Sequence, residues 1–344
     1  MIKAAVCAGQ NEPLIVKDIE GPAAPGAGQI LIRTEAVAIN PFDFAMQAYG
    51  STYFPFLKFP EIFGEDVAGV VEAVGEGIEA SAFKVGDRVA GLSVRNGFQE
   101  RVTLLAHMSF QVPPSLPIEH AACLPMSVVV SVFGLFHPDY LALRHPTVSG
   151  SSSSASSADK EVVLIWGAST AVGANAVQLA ALAGYEVITT ASPANFDKAK
   201  KLGAAHVFDY ASPTVVADIQ AVTAGKKVVG AFANGAAKPP TFPGIIAACA
   251  DVVRGQARPF LALTMVMPPS GLPEGIEGKF IAGVHDDPKF SSAILAGYLA
   301  DALAAKEYQI APEPHVYGQG LESLQGAMDM VKAGVSATKV VVKL

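Results

Sequence analysis

Glu161-Val162-Val163-Leu164-Ile165-Trp166-Gly167-Ala168-Ser169-Thr170-Ala171-Val172-Gly173 is the stretch on which the fold of this chain turns. Val162–Trp166 is a short, uninterrupted apolar run, the pattern of a strand covered on both faces of a parallel sheet. Gly167 and Gly173 bracket a turn with only small side chains at 168–171. Small residues let backbone N–H groups approach a pyrophosphate, and the positive end of the helix that follows favours the anion. Residues 171–183, AVGANAVQLAALA, are apolar on nearly every face, as in a helix packed on a sheet. The spacing is not the strict G-x-G-x-x-G. Ser169 stands at the second glycine and the last glycine is displaced by one position, so the loop alone leaves an ordinary buried strand-turn-helix open.

The downstream residues favour a dinucleotide. A second apolar run, Tyr185 to Thr190, ends on Thr190-Ala191-Ser192. An NAD site carries there an acid for the ribose 2′-hydroxyl. No Asp or Glu lies between Ile188 and Phe196. A 2′-phosphate would be repelled by such an acid and instead takes hydroxyls and a cation. Ser192, Lys198 and Tyr210 supply that chemistry, with Asn195 as a helper. Lys198, Lys200 and Lys201 also read as a solvated helix face, and the missing acid tips the reading to NADPH. The expected cofactor set is Gly167, Ser169, Thr170, Ala171, Val172, Gly173, Ser192, Asn195, Lys198, Tyr210 and Asn234.

At 344 residues, 51% hydrophobic and 16% charged, the chain has room for two domains with a large core. Its net charge of −7, from 24 basic and 31 acidic residues, argues against a nucleic-acid partner. No uninterrupted apolar run reaches the roughly 18 residues a bilayer span needs, and the N-terminus is too plain for a signal peptide. Cys7, Cys123 and Cys249 are few, odd in number and far apart, which suits reduced thiols in a cytoplasmic enzyme.

The first 125 or so residues read as mostly β, with runs at Ile30–Arg33, Val67–Val74, Arg88–Ala90 and Gln99–Leu104 between Gly, Pro and charged turns, suggesting a small barrel or sandwich. After Pro125 strands alternate with helices: Val162–Trp166, Val187–Thr190, His206–Phe208, Val228–Phe232, Phe260–Leu263 and Phe280–Ala282. That alternation predicts a parallel, doubly wound α/β sheet. Ser149–Ser157 is a low-complexity stretch expected to form a flexible surface loop. Beyond Asp287 the expected elements are helices at Ser291–Lys306 and Glu322–Ala333 and a closing strand at Lys339–Leu344.

Several motifs together resemble one family. They are Ile39-Asn40-Pro41-Phe42-Asp43, the run from Pro60 through Gly64-Glu65-Asp66 to Gly75, Lys84-Val85-Gly86-Asp87-Arg88-Val89, Ala121-Ala122-Cys123-Leu124-Pro125, Ser192 to Asp197, and Leu202-Gly203-Ala204. Over nearly its whole length the chain resembles the zinc-independent quinone-oxidoreductase branch of the medium-chain dehydrogenase/reductase superfamily, most of all the fungal trans-acting enoyl reductases. The resemblance implies a GroES-like, β-rich catalytic domain (1–126 and 287–344) interrupted by a Rossmann domain (127–286). It implies hydride transfer from NADPH in the cleft between them, to an enoyl thioester, an enone or a quinone. It implies a monomer or homodimer, in some relatives docked to a synthase. Asn40 matches the polar residue near the nicotinamide in these enzymes.

Zinc relatives carry Cys at the position of Asn40 and His at that of Glu65, and the four cysteines of the structural zinc lobe are missing, so no metal is expected. Without a metal, a Tyr or a water must protonate the α-carbon after hydride adds to the β-carbon. Tyr49, then Tyr53, are the candidate donors, and each also reads as a half-buried packing residue. Relatives commonly place Gly at Thr170, where a β-branched side chain is expected to crowd the pyrophosphate. They often place Thr at Val130, whose hydroxyl Ser127 or Ser131 would have to replace. The Val130 departure keeps a second reading open, a catalytically weak NADPH-binding sensor.

Overall fold

The computed structural model describes residues 1–79, 81–93, 95–148, 161–235 and 241–344. The serine-rich Ser149–Ser157 stretch lies outside them. The described chain falls into two compact units, Met1–Met126 with Pro288–Leu344, and Ser127–Asp287.

The first unit is β-rich. Its seven-stranded sheet runs Glu313–Gln319, Thr338–Lys343, Gln29–Ala38, Asp66–Val74, Arg88–Leu92, Ser109–Gln111, with Arg101–Leu105 paired to Gln29–Ala38. Ile2–Cys7 and Leu14–Ile19 form a separate antiparallel pair. Ile30, Ile32, Val67, Phe63, Phe98 and Leu104 are buried at the centre of this unit's core. Gly64 has φ +96°, and a Cβ there would stand 2.3 Å from the Phe98 ring, so only glycine lets the chain turn into the strand beginning at Asp66. Helix Pro41–Tyr53 begins with proline at its first position, where the missing N–H costs nothing, and Asn40 is its cap. The expected helix at Ser291–Lys306 is a helical run from Pro288 to Ala304 whose middle, Ala293–Leu299, is wound as a π-helix. That at Glu322–Ala333 is a 3₁₀ turn, Leu321–Ser323, followed by Leu324–Ala333.

The second unit is a six-stranded, all-parallel sheet in the order His206–Asp209, Glu186–Ala191, Val162–Trp166, Val228–Ala233, Phe260–Leu263, Glu277–Phe280. Counted from Val162–Trp166, this is the 3-2-1-4-5-6 order of a doubly wound fold, with its switch point between the first and fourth strands. Val162–Trp166 is buried at every position. The last strand differs from expectation. It occupies Glu277–Phe280 rather than Phe280–Ala282, because as the sheet's edge it is largely exposed and polar. Ile281 N–H still donates to the Leu263 carbonyl of the neighbouring strand at 2.9 Å, and beyond it Ala282 N–H donates to the Tyr140 hydroxyl at 3.2 Å. Helix Pro125–Phe136 ends the stretch Ile118–Phe136, which is long and apolar enough to cross a bilayer; 72% of it is buried within the protein, as in a core helix.

Candidate functional site

The phosphate turn lies between strand Val162–Trp166 and helix Ala171–Leu182. Gly167 has φ +85°, and a Cβ on Gly173 would stand 2.0 Å from the Gly167 carbonyl oxygen. The displaced glycine therefore presses the first helical turn onto the loop, the packing role of the last fingerprint glycine. Thr170 is the helix cap. Its hydroxyl oxygen accepts from Gly173 N–H at 2.9 Å and from Asn234 Nδ2 at 2.6 Å. The side chain is thus turned into the loop, where it holds the cradle together rather than projecting across it.

Asn234 also donates to the Gly167 carbonyl at 3.2 Å, and its Oδ1 accepts from the Thr264 hydroxyl at 3.1 Å. It is 3% exposed and fixes the turn from the adjacent strand end. From the other side Thr190, which sequence reasoning did not single out, accepts Gly167 N–H on its hydroxyl at 3.0 Å and Ala168 N–H on its carbonyl at 2.9 Å. Among the described residues the N–H groups of Ala171 and Val172 have no acceptor, and they stand at the positive end of a 12-residue helix. A pyrophosphate fits this cradle: two free donors, a helix dipole and no side chain at the glycines.

Ser192 follows strand Glu186–Ala191, and its hydroxyl accepts from Asn195 Nδ2 at 3.1 Å. Asn195 is buried, which makes it a positioner of Ser192. Lys198 is exposed on helix Phe196–Lys201 and, among the described residues, enters no ion pair. Tyr210, just past strand His206–Asp209, leans on the unit's core. The acid of the second strand, Glu186, sits at its opposite end, paired with Lys226 at 2.6 Å. Val130 is half-buried on helix Pro125–Phe136. Neither neighbouring serine supplies a spare hydroxyl: Ser131 bonds the carbonyls of Ser127 at 2.6 Å and Val172 at 2.8 Å, and Ser127 accepts from Asn175 Nδ2 at 3.1 Å.

In the first unit Asn40 belongs to a buried polar cluster. Asp66 is fully buried; its Oδ2 accepts from Asn40 Nδ2 at 2.9 Å and Lys339 Nζ at 2.7 Å, and its Oδ1 from Met126 N–H at 2.6 Å. Lys339 Nζ also donates to Asn40 Oδ1 at 2.6 Å, so both polar atoms of the Asn40 amide are engaged inside the protein. Asp43 accepts from Asn40 N–H at 2.7 Å and Gly64 N–H at 3.1 Å. Burial raises its pKa to about 7, against the opposing pull of those N–H groups and Lys339. Glu65 lies beside them, also buried. Sequence reasoning missed Lys339 because a single lysine opening an apolar strand reads as a solvated strand end.

Tyr49 and Tyr53 lie in the last turns of helix Pro41–Tyr53, 56% and 61% exposed. At 1.5 Å per residue Tyr49 lies about 14 Å along the axis from Asn40. Their rings are 5.7 Å apart, and Tyr53 leads into an aromatic group with Phe54, Phe42 and Phe56, over which the Arg95 guanidinium lies 4.4 Å from the ring centroid.

The donors around Asn40 do not fit zinc. An ammonium already holds the Asn40 oxygen, and among the described residues no three His, Cys, Asp or Glu side chains converge as a metal set.

Residues 26–113 match the alcohol dehydrogenase GroES-like domain, and residues 171–251 match the domain described as zinc-binding dehydrogenase. A dehydrogenase of Aspergillus niger, azaJ, is 41% identical over 99% of this chain and 98% of its own. The trans-enoyl reductase himH of Aspergillus japonicus is 34% identical over 92% of this chain and 90% of its own. A mycobacterial protein solved in complex with NADPH superposes with a TM-score of 0.73 at 25% identity, covering 100% of both chains.

Proposed function

The chain belongs to the medium-chain dehydrogenase/reductase superfamily, among its fungal dehydrogenases and trans-enoyl reductases, and from that premise we propose an NADPH-dependent, zinc-independent reductase of electron-poor C=C bonds. The observation that carries the cofactor choice is the end of the second strand. It closes on Ala191-Ser192 with no carboxylate, followed by Lys198, which enters no ion pair among the described residues. Ser192 and Lys198 would take the 2′-phosphate, with Tyr210 beside them, and the free N–H groups of Ala171 and Val172 the pyrophosphate. When bound, the reduced nicotinamide supplies hydride. An enoyl thioester is the favoured substrate class, because a sequence relative at 34% identity is a trans-enoyl reductase. The zinc-free reading rests on the Lys339 ammonium at Asn40. The three cysteines, all buried and none in a disulfide, suit a cytoplasmic enzyme.

Fluorescence titration tests the cofactor. NADPH is expected to bind at least tenfold more tightly than NADH, and Lys198→Ala to remove most of that preference while leaving NADH binding unchanged. A preference for NADH in the unmodified protein would sink the assignment. Stoichiometric zinc in the purified protein would overturn the metal-free reading.

A further inference from the structure

A cavity of about 250 Å³ opens within the first unit. Its walls are helix Pro41–Tyr53, helix Leu324–Ala333 and the loop joining strands Ile2–Cys7 and Leu14–Ile19. The loop is seated on the first helix beside a break in that helix. Gly50 has φ +56°, and just before it the carbonyls of Gln47 and Ala48 accept from Asn11 N–H at 2.8 Å and Gln10 Nε2 at 3.0 Å. The most buried residue of the lining is Gln47, 9% exposed. Its Nε2 donates to Gln325 Oε1 and to the Glu12 carbonyl, both at 2.9 Å. Gln325 Oε1 also accepts from Leu14 N–H at 2.9 Å, and Gln325 Nε2 donates to Asp329 Oδ1 at 3.0 Å. Gln47 Oε1 keeps only a 3.4 Å contact from that same Nε2, so a buried acceptor stands in the cavity wall with room for a better donor. Charge lies at the rim. Asp329 and Lys332 are three apart on helix Leu324–Ala333, a spacing at which an acid and a lysine commonly pair, yet they form no ion pair. Among the described residues neither Lys332 Nζ nor the side-chain amide of Asn11 has a partner.

We propose that this cavity binds a small, polar α-amino acid, independently of the cofactor cradle. Side chains three apart on a helix stand about 5–6 Å apart at Cβ, a gap that a head group with opposite charges on one carbon bridges. The ammonium goes to the second carboxylate oxygen of Asp329 and to Gln47 Oε1. The carboxylate goes to Lys332 Nζ and the Asn11 amide. Each is a charge-assisted bond, and a simple amine or a simple carboxylate would satisfy only half of the set. The volume lies below the roughly 300 Å³ at which sites for drug-sized ligands begin, so the side chain must be short. Pro13 and Ala48 are the apolar lining and both are small, so a hydroxyl or a carboxamide suits the amide-rich wall better than a large apolar group. The bound molecule would tie the loop to both helices and so stabilise the folded chain.

The test is isothermal titration of the full chain with L-serine, L-glutamine and L-leucine, and with ethylamine and propionate as probes carrying one charge each. L-serine or L-glutamine is expected to bind saturably with a Kd of about 1 mM or tighter. L-leucine, ethylamine and propionate should each bind at least about tenfold more weakly. Asp329→Asn and Lys332→Gln change exposed positions and should fold as the original does by circular dichroism. Each should weaken the amino acid at least about fivefold. No saturable binding of L-serine or L-glutamine, equal binding of a one-charge probe, or undiminished binding in either variant overturns the proposal. A second reading needs no variant. Urea unfolding of the original in about 20 mM L-glutamine should show a raised midpoint, and the same concentration of ethylamine or propionate should not. An unchanged midpoint in L-glutamine overturns the proposal as well.

Discussion

At the scale of a residue, Thr170 shows one hydroxyl serving three ends. It caps the cradle helix, anchors Asn234 and turns its own methyl-bearing side chain into the loop. Removing only the hydroxyl, as in Thr170→Val, leaves the Gly173 N–H uncapped and takes away one acceptor of the buried Asn234 amide. A capping loss of about 1–2 kcal/mol in urea unfolding is expected, with NADPH affinity reduced several-fold, while Thr170→Ser stays close to the original. A valine variant equal to the original in both measurements would show that the bonds do not shape the cradle. The same residue marks what sequence can reach. Gly167, Gly173, Ser192 and Lys198 stand out in the sequence as phosphate-site candidates because a phosphate demands small or cationic residues at short spacing from one strand. The engagement of the Asn40 amide is not legible, because its partner Lys339 lies 299 residues further along the chain.

At the scale of an element, legibility follows burial. Val162–Trp166 and Phe260–Leu263 have the bounds their sequences predict, since a strand covered on both faces is an apolar run and nothing more. Leu14–Ile19, Glu313–Gln319 and Glu277–Phe280 were missed or shifted, because partly exposed strands are drawn by backbone pairing that side chains do not announce. The π-helical turn at Ala293–Leu299 leaves no sequence signal for the same reason. The closing strand Thr338–Lys343 carries the clearest element-level consequence. Through Lys339 it joins the cap of helix Pro41–Tyr53 to the start of strand Asp66–Val74. Lys339→Met leaves the Asp66 carboxylate buried and uncompensated, and a loss of about 3–5 kcal/mol is expected by urea denaturation. Lys339→Met combined with Asp66→Asn should recover a large part of it, because the uncompensated charge goes with the ammonium. Equal losses in the single and double variants would mean that packing, not charge, holds this junction.

At the scale of the whole molecule, the acids of the first unit give stability an unusual dependence on pH. A carboxyl whose pKa is raised on folding binds its proton more tightly in the native state than in the unfolded chain, so its contribution is complete at low pH and is lost as pH rises. Asp43 moves from the ordinary value of 3.8 to about 7, and Glu65 moves upward as well, both chiefly through burial. Between about pH 4 and pH 7 Asp43 therefore erodes stability, and Glu65 does so as pH rises above the usual carboxylate range, opposite in sign to the salt-bridged surface carboxylates such as Glu161, whose Lys227 and Arg144 partners hold it below its usual range. Glu65→Gln removes one of the two raised acids without removing a hydrogen bond, since the Glu65 carboxyl makes none among the described residues. Thermal unfolding of variant and original, followed from about pH 5 to pH 8, should show similar midpoints at the acid end. The variant should gain on the original as the buried carboxyl is forced to ionise. Parallel curves across that range would mean that Glu65 ionises as easily in the folded protein as in the unfolded chain, and that the cluster around Asp66 and Lys339 is already balanced without it.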